Sequence, residues 1–328
     1  YAMSLKNIGE FGLIAEIRDA FKVGMRPCEN KNSAAIKGIG DDCAVLPQHD
    51  GMVTLVSTDM LVEGDHFLLG DISPYQLGWK SAAVNISDIA AMGGIPTATF
   101  LALAIPERID NPWMKEFIRG YRDISERFSC PLLGGDTTSS PAGMSICVTV
   151  LGQCRKGAER CRDMAREGDF VCVTGNLGDS AAGLRIILEK KLRDPDAAKL
   201  IGRHYQPMPR VEEGLKLAAT PGVHAMMDIS DGIGSDLRHI LKASGKGAEI
   251  DVGTLPLSDE LKAVCAREGW DPVELATCGG EDYELLFTIT PEAESGLNVE
   301  HHIIGRITSG DSLEWVGSDR DYLGFRHF

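Results

Sequence analysis

Apolar runs of strand length alternate with longer amphipathic stretches along most of the chain. This alternation predicts strands and helices in turn, so the predicted fold class is α/β or α+β. In the first half the predicted elements are a helix at 10–21, a polar loop at 30–37, strands at 43–46, 52–57, 97–105, 131–133 and 144–153, and helices at 78–94 and 112–128. In the second half they are strands at 170–174, 224–227, 249–252 and 283–290, helices at 179–190, 233–243 and 257–268, two helices that flank Pro207–Pro209, and strand-like pieces after residue 302.

A charged, turn-rich segment at 155–167 separates the two halves. We therefore predict an N-terminal domain at 1–154 and a C-terminal domain at 155–328. The 328 residues are enough for two domains with full cores.

The composition is that of an ordinary globular protein, with 43% hydrophobic and 25% charged residues. A formal net charge of −15 argues against a nucleic-acid or acidic-membrane surface. Nine cysteines without a Cys-x-x-Cys pair indicate a reduced, cytoplasmic chain rather than a disulfide framework or a zinc site. The apolar stretches are interrupted well short of a membrane span, and we expect no signal peptide.

The helix predicted at Gly78–Gly94 is apolar on nearly all sides, yet it contains Asn85 and Asp88. These two residues lie three apart, so they share one helix face. A buried carboxylate is unfavourable unless a cation or hydrogen-bond donors meet it. Two interpretations of Asp88 follow, a cap for a neighbouring loop and a metal ligand.

Further acidic residues stand at the ends of short apolar strands or in glycine turns. They are Asp42 in the turn at 38–42, and Asp59, Asp136, Asp228 and Asp231 after predicted strands. Strand ends at one sheet edge converge in space, and oxygen ligands of this kind suit Mg²⁺. A single Asp in such a place is more often a turn former, so the prediction of a metal site rests on the repetition.

Several common nucleotide motifs are missing. The sequence has no P-loop, no dinucleotide fingerprint and no Gly-x-Ser-x-Gly elbow. The turn Gly175–Gly178 before a predicted helix is either a phosphate cradle or a plain turn. His66, which follows Asp59 by seven positions, is either structural or a substrate contact.

Seven motifs taken together resemble those of the thiamine-monophosphate kinase family. They are GIGDDCAVL, STDMLVEGDHF, AVNISDIAAMGG, LLGGDTT, VTGNLGDSAAGL, DISDGIGSDL and GGEDYELLF, and they follow the family's order over nearly the whole chain. The resemblance implies a two-domain fold like that of aminoimidazole ribonucleotide synthetase, with an N-terminal mixed sheet that dimerises and a C-terminal α/β domain. It also implies that ATP binds along the dimer interface.

The resemblance assigns site residues as well. The implied Mg²⁺ ligands are Asp42, Ser57, Thr58, Asp59, Asp88, Asp136, Asp228 and Asp231. The implied ATP contacts are Gly135, Asp136, Arg162 and Ser230. The implied contacts to thiamine phosphate are His66, Glu281 and Tyr322, of which Tyr322 stands where the family usually has Trp.

The implied reaction moves the γ-phosphoryl group of ATP to thiamine phosphate and gives thiamine diphosphate and ADP, with several Mg²⁺ ions in a homodimer. Asp88 is expected to bridge the ions, and Asp59 and Asp136 to hold the Mg²⁺ of the nucleotide. One alternative is another ATP-using enzyme of the same group, selenophosphate synthetase-like, purine-pathway synthetase-like or of the hydrogenase-maturation type. The other is a non-catalytic nucleotide-binding protein.

Overall fold

The structure is a computed structural model, and it describes residues 37, 39–190 and 194–324 together with Gly12, Ile14 and Ala15. These last three residues are helical, but the rest of the helix predicted at 10–21 lies outside the described residues. The same holds for the loop predicted at 30–37, apart from Lys37.

The first domain is built on a mixed five-stranded sheet with the strand order β1-β2-β5-β3-β4. Its strands are β1 Ala44–Pro47, β2 Met52–Val62, β3 Ile95–Pro106, β4 Leu132–Ser140 and β5 Ser145–Arg155. Only β3 and β4 pair in parallel, and the other neighbours are antiparallel. The edge strand β4 is exposed over nearly its whole length.

Helix α1, Pro74–Ala91, lies across one face of this sheet, and α2, Asn111–Arg127, packs against α1. A capping box between Ser73 and Gln76 begins α1 four residues before the predicted start. The predicted end is confirmed: Met92 is the C-cap, and Gly93 has a φ of 69°.

Two glycines allow α1 and α2 to cross at close range. A Cβ atom on Gly78 would lie 1.9 Å from the carbonyl oxygen of Phe117, and one on Gly120 would lie 1.9 Å from that of Tyr75. The backbones therefore touch directly, which fixes the depth of α1 in the domain.

The opposite face of the first sheet carries exposed apolar side chains. Met60 on β2 is 56% exposed and Phe100 on β3 is 38% exposed. Leu133 on the edge strand is 65% exposed. Exposed apolar side chains grouped on one sheet face are typical of interaction surfaces.

The second domain has a six-stranded sheet with the strand order β11-β8-β10-β6-β9-β7. Its strands are β6 Phe170–Val173, β7 Val223–Asp228, β8 Gly247–Asp251, β9 Leu285–Ile289, β10 His302–Thr308 and β11 Leu313–Val316. Its helices are α3 Asp179–Leu188, α4 Pro195–Tyr205, α5 Val211–Ala219, α6 Ile233–Ser244, α7 Asp259–Glu268, α8 Pro272–Cys278 and α9 Pro291–Glu294. Short 3₁₀ turns occupy Arg162–Met164 and Val252–Thr254.

The α/β fold class is confirmed, and α1 is the element at which the two domains meet. It packs against the first sheet on one side and against α5 and β7 of the second domain on the other. The indole nitrogen of Trp79 on α1 donates to the carbonyl oxygen of Pro207, 2.9 Å away. Within the described ranges, none of the helices combines the length and apolarity that a bilayer crossing requires.

Two strands are longer than predicted, and this changes the setting of two acids. β2 continues to Val62 because each of its residues pairs with β5, so Asp59 lies inside a strand and not after it. β4 likewise continues through Asp136. There Gly135, with a φ of 153°, approaches the carbonyl oxygen of Leu101 so closely that a Cβ atom would lie 1.8 Å from it.

Candidate active site at the contact between the domains

Three carboxylates from distant parts of the chain meet where the domains touch. Asp42 precedes β1, Asp88 lies on α1, and Asp228 ends β7. One oxygen from each lies within 4.8 Å of the others. Such a group of oxygen donors from both domains suits a hard divalent cation.

Hydroxyl groups and an amide orient these acids. The Ser57 hydroxyl donates to Oδ2 of Asp88, and the Ser87 hydroxyl donates to Oδ2 of Asp228. The oxygen–oxygen distance is 2.5 Å in both hydrogen bonds. Asn85 accepts from the backbone N–H of Asp59 at 3.3 Å. Asn85 and Asp88 thus both face the same strand, β2, as their shared helix face predicts.

Burial and mutual repulsion oppose ionisation of the cluster. Burial, and then the charge of Asp42, raises the pKa of Asp59 to about 6 and that of Asp228 to about 8. Burial, with the charges of Asp59 and Asp228 next, raises the pKa of Asp88 well above its ordinary value. The cluster therefore gains from a cation that lets its members ionise together.

Arg162 supplies one cation, but it does not satisfy the cluster. Its Nη2 atom lies 2.6 Å from Oδ1 of Asp42, and this pairing raises the pKa of Arg162 although burial lowers it. The other oxygen of Asp42, Oδ2, is buried and has no hydrogen-bond partner among the described residues. An unsatisfied buried carboxylate oxygen beside two further acids fits a Mg²⁺ ligand.

The loop after β7 is held by a carboxylate of its own. Oδ2 of Asp236 accepts from the backbone N–H groups of Ser230 and Asp231, both at 3.1 Å. The carbonyl oxygen of Ser230 in turn accepts from the N–H of Glu281 at 2.8 Å. Gly280 has no room for a side chain because a Cβ atom would lie 2.2 Å from the same carbonyl oxygen. The segments 228–232 and 279–284 are therefore hydrogen-bonded and closely packed, and together they form one wall of the candidate site.

Glu281 stands on this wall in a left-handed conformation, with a φ of 63°. Its side chain is 22% exposed, and Oε2 lies 2.9 Å from Nζ of Lys80 and 3.2 Å from Nδ1 of His204. The charge of His66, in the loop after β2, is one of the causes that lower the pKa of Glu281. His66 and Glu281 are thus close enough to interact electrostatically, and their role as substrate contacts stays a prediction.

Other predicted site residues point elsewhere. The Thr58 side chain faces the outer side of the sheet and contacts Thr149, with 2.8 Å between the hydroxyl oxygens. Gly135 and Asp136 lie on β4, three strand spacings from β2, which is about 14 Å. Oδ1 of Asp136 accepts from the N–H of Thr137.

Tyr322 lies in the core of the second domain and is only 5% exposed. Its ring packs edge-on against Trp315, with 5.0 Å between the centroids, and its hydroxyl lies 3.1 Å from that of Ser318. Its carbonyl oxygen lies against Gly234 at the start of α6, close to the loop that carries Asp231. The backbone of this segment, rather than the tyrosine ring, adjoins the site.

The turn Gly175–Gly178 has the geometry of an anion cradle, but a side chain already occupies it. Asp282 accepts from the N–H of Gly178 at 2.7 Å and from that of Ser180 at 3.3 Å. Burial raises the pKa of Asp282 to about 7. The N–H groups at this helix start are therefore used within the protein.

Sequence reasoning missed Lys80, Ser87 and Asp236. Lys80 had a signal, since it is the one cation within the apolar helix. Ser87 and Asp236 had none, because a serine or aspartate near a turn is usually a local cap.

The comparisons with known proteins cover both domains. The family model for the N-terminal domain of AIR synthase related proteins matches residues 40–154, and the model for their C-terminal domain matches residues 166–316. The thiamine-monophosphate kinase of Salmonella typhimurium is 39% identical, with 98% of each chain covered. That of Aquifex aeolicus is 37% identical over 99% of this chain and 100% of its own.

A solved structure, AaThiL complexed with AMPPCP and TMP, matches the whole of both chains with a TM-score of 0.89 and 36% identity. The family predicted from the seven motifs is confirmed by these matches. The chain belongs to the AIR synthase related proteins and, within them, to the thiamine-monophosphate kinase family.

Proposed function

We propose that this chain transfers the γ-phosphoryl group of ATP to the phosphate of thiamine phosphate, giving thiamine diphosphate and ADP. The observation that carries the proposal is the carboxylate cluster of Asp42, Asp88 and Asp228, whose oxygens lie within 4.8 Å of one another. Relatives that match over nearly their full length are named thiamine-monophosphate kinases, which gives the reaction.

The site suits a reaction between two anions. A phosphate oxygen is already ionised near neutral pH, so the acceptor needs no strong general base. The difficulty is the repulsion between ATP and the acceptor, and bound Mg²⁺ would neutralise that charge. The residues that would hold it are Asp42, Asp59, Asp88, Asp228 and Asp231, with the Ser57 and Ser87 hydroxyls fixing the carboxylates.

The ATP site extends from Arg162 and Ser230 toward a second copy of the chain. Arg162 lies beside the cluster and would balance phosphate charge. Gly135 and Asp136 are too far from the cluster within one chain, but they lie on an exposed edge next to the exposed apolar sheet face. A homodimer formed through that face would bury Met60 and place the edge strands along the interface where ATP binds.

Thiamine phosphate would bind between His66 and Glu281. A carboxylate there complements the positive charge of the thiazolium ring, and it lies on the wall next to the metal cluster. Because the Tyr322 ring is buried against Trp315, the proposal for this subsite rests on the other two residues.

The test is to incubate the purified chain with ATP, Mg²⁺ and thiamine phosphate and to separate the products by liquid chromatography. We expect equal amounts of ADP and thiamine diphosphate, and no thiamine diphosphate after chelation of the metal. Parallel reactions with selenide or with formylglycinamidine ribonucleotide test the sibling enzymes. Turnover of either, or binding of ATP without any turnover, would overturn the proposal.

A further inference from the structure

Lys80 is a buried cation at the contact between the two domains. It is 1% exposed and is among the largest fully buried side chains. Lysine is almost never buried to this extent without a partner, because the loss of hydration is large. Its partner is Glu281 of the second domain, with 2.9 Å between Nζ and Oε2.

The groups around this pair leave Lys80 as its source of positive charge. The His204 ring nitrogen lies 3.2 Å from the same oxygen, Oε2, and 3.0 Å from the Ser180 hydroxyl. Burial lowers the pKa of His204 to about 3, so the imidazole is neutral at working pH. Burial alone would raise the pKa of Glu281, but the charge and the hydrogen bond of Lys80, whose charge is the largest opposing cause, bring it below its ordinary value.

The geometry leaves half of the carboxylate for a ligand. The hydrogen bond from Lys80 and the printed approach of His204 both fall on Oε2, and no hydrogen bond among the described residues falls on Oε1, while the side chain keeps 22% of its surface exposed. The left-handed backbone of Glu281 and its N–H bond to Ser230 fix the direction in which the carboxylate points. A non-glycine residue in this conformation carries backbone strain, which is common at ligand-binding sites.

We propose that Lys80 is a positioning residue for the acceptor substrate: its ammonium group holds Glu281 ionised and oriented so that the carboxylate receives the positively charged part of thiamine phosphate. The inference rests on the proposed function and adds a residue to it. Lys80 does not touch the substrate, and it acts through Glu281.

The test compares Lys80→Met, Glu281→Gln and the double variant in steady-state kinetics. Lys80→Met keeps the side-chain length without the charge, and we expect KM for thiamine phosphate to rise at least about 10-fold while KM for ATP changes less than about 3-fold. Lys80→Gln, which still donates a hydrogen bond, should raise it less. When Lys80→Met is added to Glu281→Gln, KM for thiamine phosphate should change by less than about 2-fold further. The carboxylate through which Lys80 acts is already absent in that background.

The double variant also guards against misfolding, because it leaves no unpaired charge at the site. Lys199→Met is the matched control: it breaks a Lys–Glu pair with Glu260, 2.6 Å long, at a position where the lysine side chain is 60% exposed. Its kinetics should equal those of the unmodified chain.

The outcomes separate this inference from the proposed function. If the unmodified chain makes no thiamine diphosphate, the proposed function fails. If it does, and Lys80→Met lowers kcat with KM for thiamine phosphate unchanged, or its effect adds fully to that of Glu281→Gln, then Lys80 is only a structural tie and the inference is wrong.

Discussion

The substitution Asp88→Asn removes one charge from the carboxylate cluster and leaves its shape almost unchanged. The amide oxygen can still accept from the Ser57 hydroxyl that now lies 2.5 Å from Oδ2. Two unit charges no farther apart than the 4.8 Å within which these oxygens lie repel by at least roughly 3.5 kcal/mol at an effective dielectric constant of about 20. We therefore expect the variant to fold and, without Mg²⁺, to be at least as stable as the unmodified chain.

The effect should appear when the metal is added. At a Mg²⁺ concentration of 100 times Kd, binding stabilises the folded chain by about 2.7 kcal/mol. If the loss of Asp88 weakens binding about 100-fold, this increment falls to about 0.4 kcal/mol at the same concentration. Urea unfolding with and without Mg²⁺ measures both increments, and turnover should fall at least about 1000-fold.

Asp259→Asn is the matched control, because the Asp259 side chain is fully exposed at the start of α7. It should keep both the Mg²⁺ increment and the activity. Either of two results for Asp88→Asn would refute the reasoning. One is a full Mg²⁺ increment with normal turnover, and the other is a loss of more than about 2 kcal/mol of stability in the absence of metal.

Three further predictions concern the fold, pH and assembly. Gly120→Ala should lower the free energy of unfolding by about 2 to 3 kcal/mol, because the new Cβ atom would overlap a backbone carbonyl of α1, whereas Gly202→Ala, with nothing within 4 Å, should not destabilise. The folded-state pKa of His204 is about 3, below its ordinary 6.5, so stability is lost as the pH falls below 6.5. Between pH 7 and pH 5, the free energy of unfolding should therefore fall by about 2 kcal/mol less in His204→Gln than in the unmodified chain, as measured by urea titration. Met60→Glu should weaken the proposed homodimer more than 10-fold in sedimentation experiments, while Ile118→Glu on α2, 55% exposed, should not.

Each of these predictions has a contrary outcome. Equal stability of the two alanine variants would mean that the crossing of α1 and α2 relaxes freely. An unchanged acid sensitivity in His204→Gln would place the titrating group elsewhere. A monomeric unmodified chain would remove the proposed interface.

Local polar residues in apolar elements made the meeting of Asp88 and Asp228 in a carboxylate cluster predictable, while the binding of metal there stays a prediction. Asp88 breaks an apolar helix and Asp228 ends an apolar strand, and both lie where the pattern indicates. Asp136 shows the limit of this reasoning. Its sequence context resembles that of Asp228, but whether a strand is central or at the edge depends on pairing with distant residues, which the local pattern does not contain.

The sequence pattern also did not predict which side chains with a polar end are buried. Tyr322 has the chemistry to contact a cationic ring, but its place depends on Trp315, which packs against it in the second domain. Lys80 is the converse case: a residue that is usually exposed is buried because its partner, Glu281, comes 201 positions later. Neither outcome follows from spacing, because each depends on a tertiary contact.

Because Lys80 and Asp88 lie on one helix, that helix sets the distance between them. They are eight residues apart on α1, so their backbone positions differ by about 12 Å along the helix axis. Asp88 belongs to the carboxylate cluster, the proposed metal site, and Lys80 to the proposed acceptor subsite, so one helix sets the spacing between the two. Since the crossing at Gly78 and Gly120 fixes that helix in the first domain, a change that lifts α1 should disturb Mg²⁺ binding and thiamine phosphate binding together. A change at either end alone should disturb only one of them.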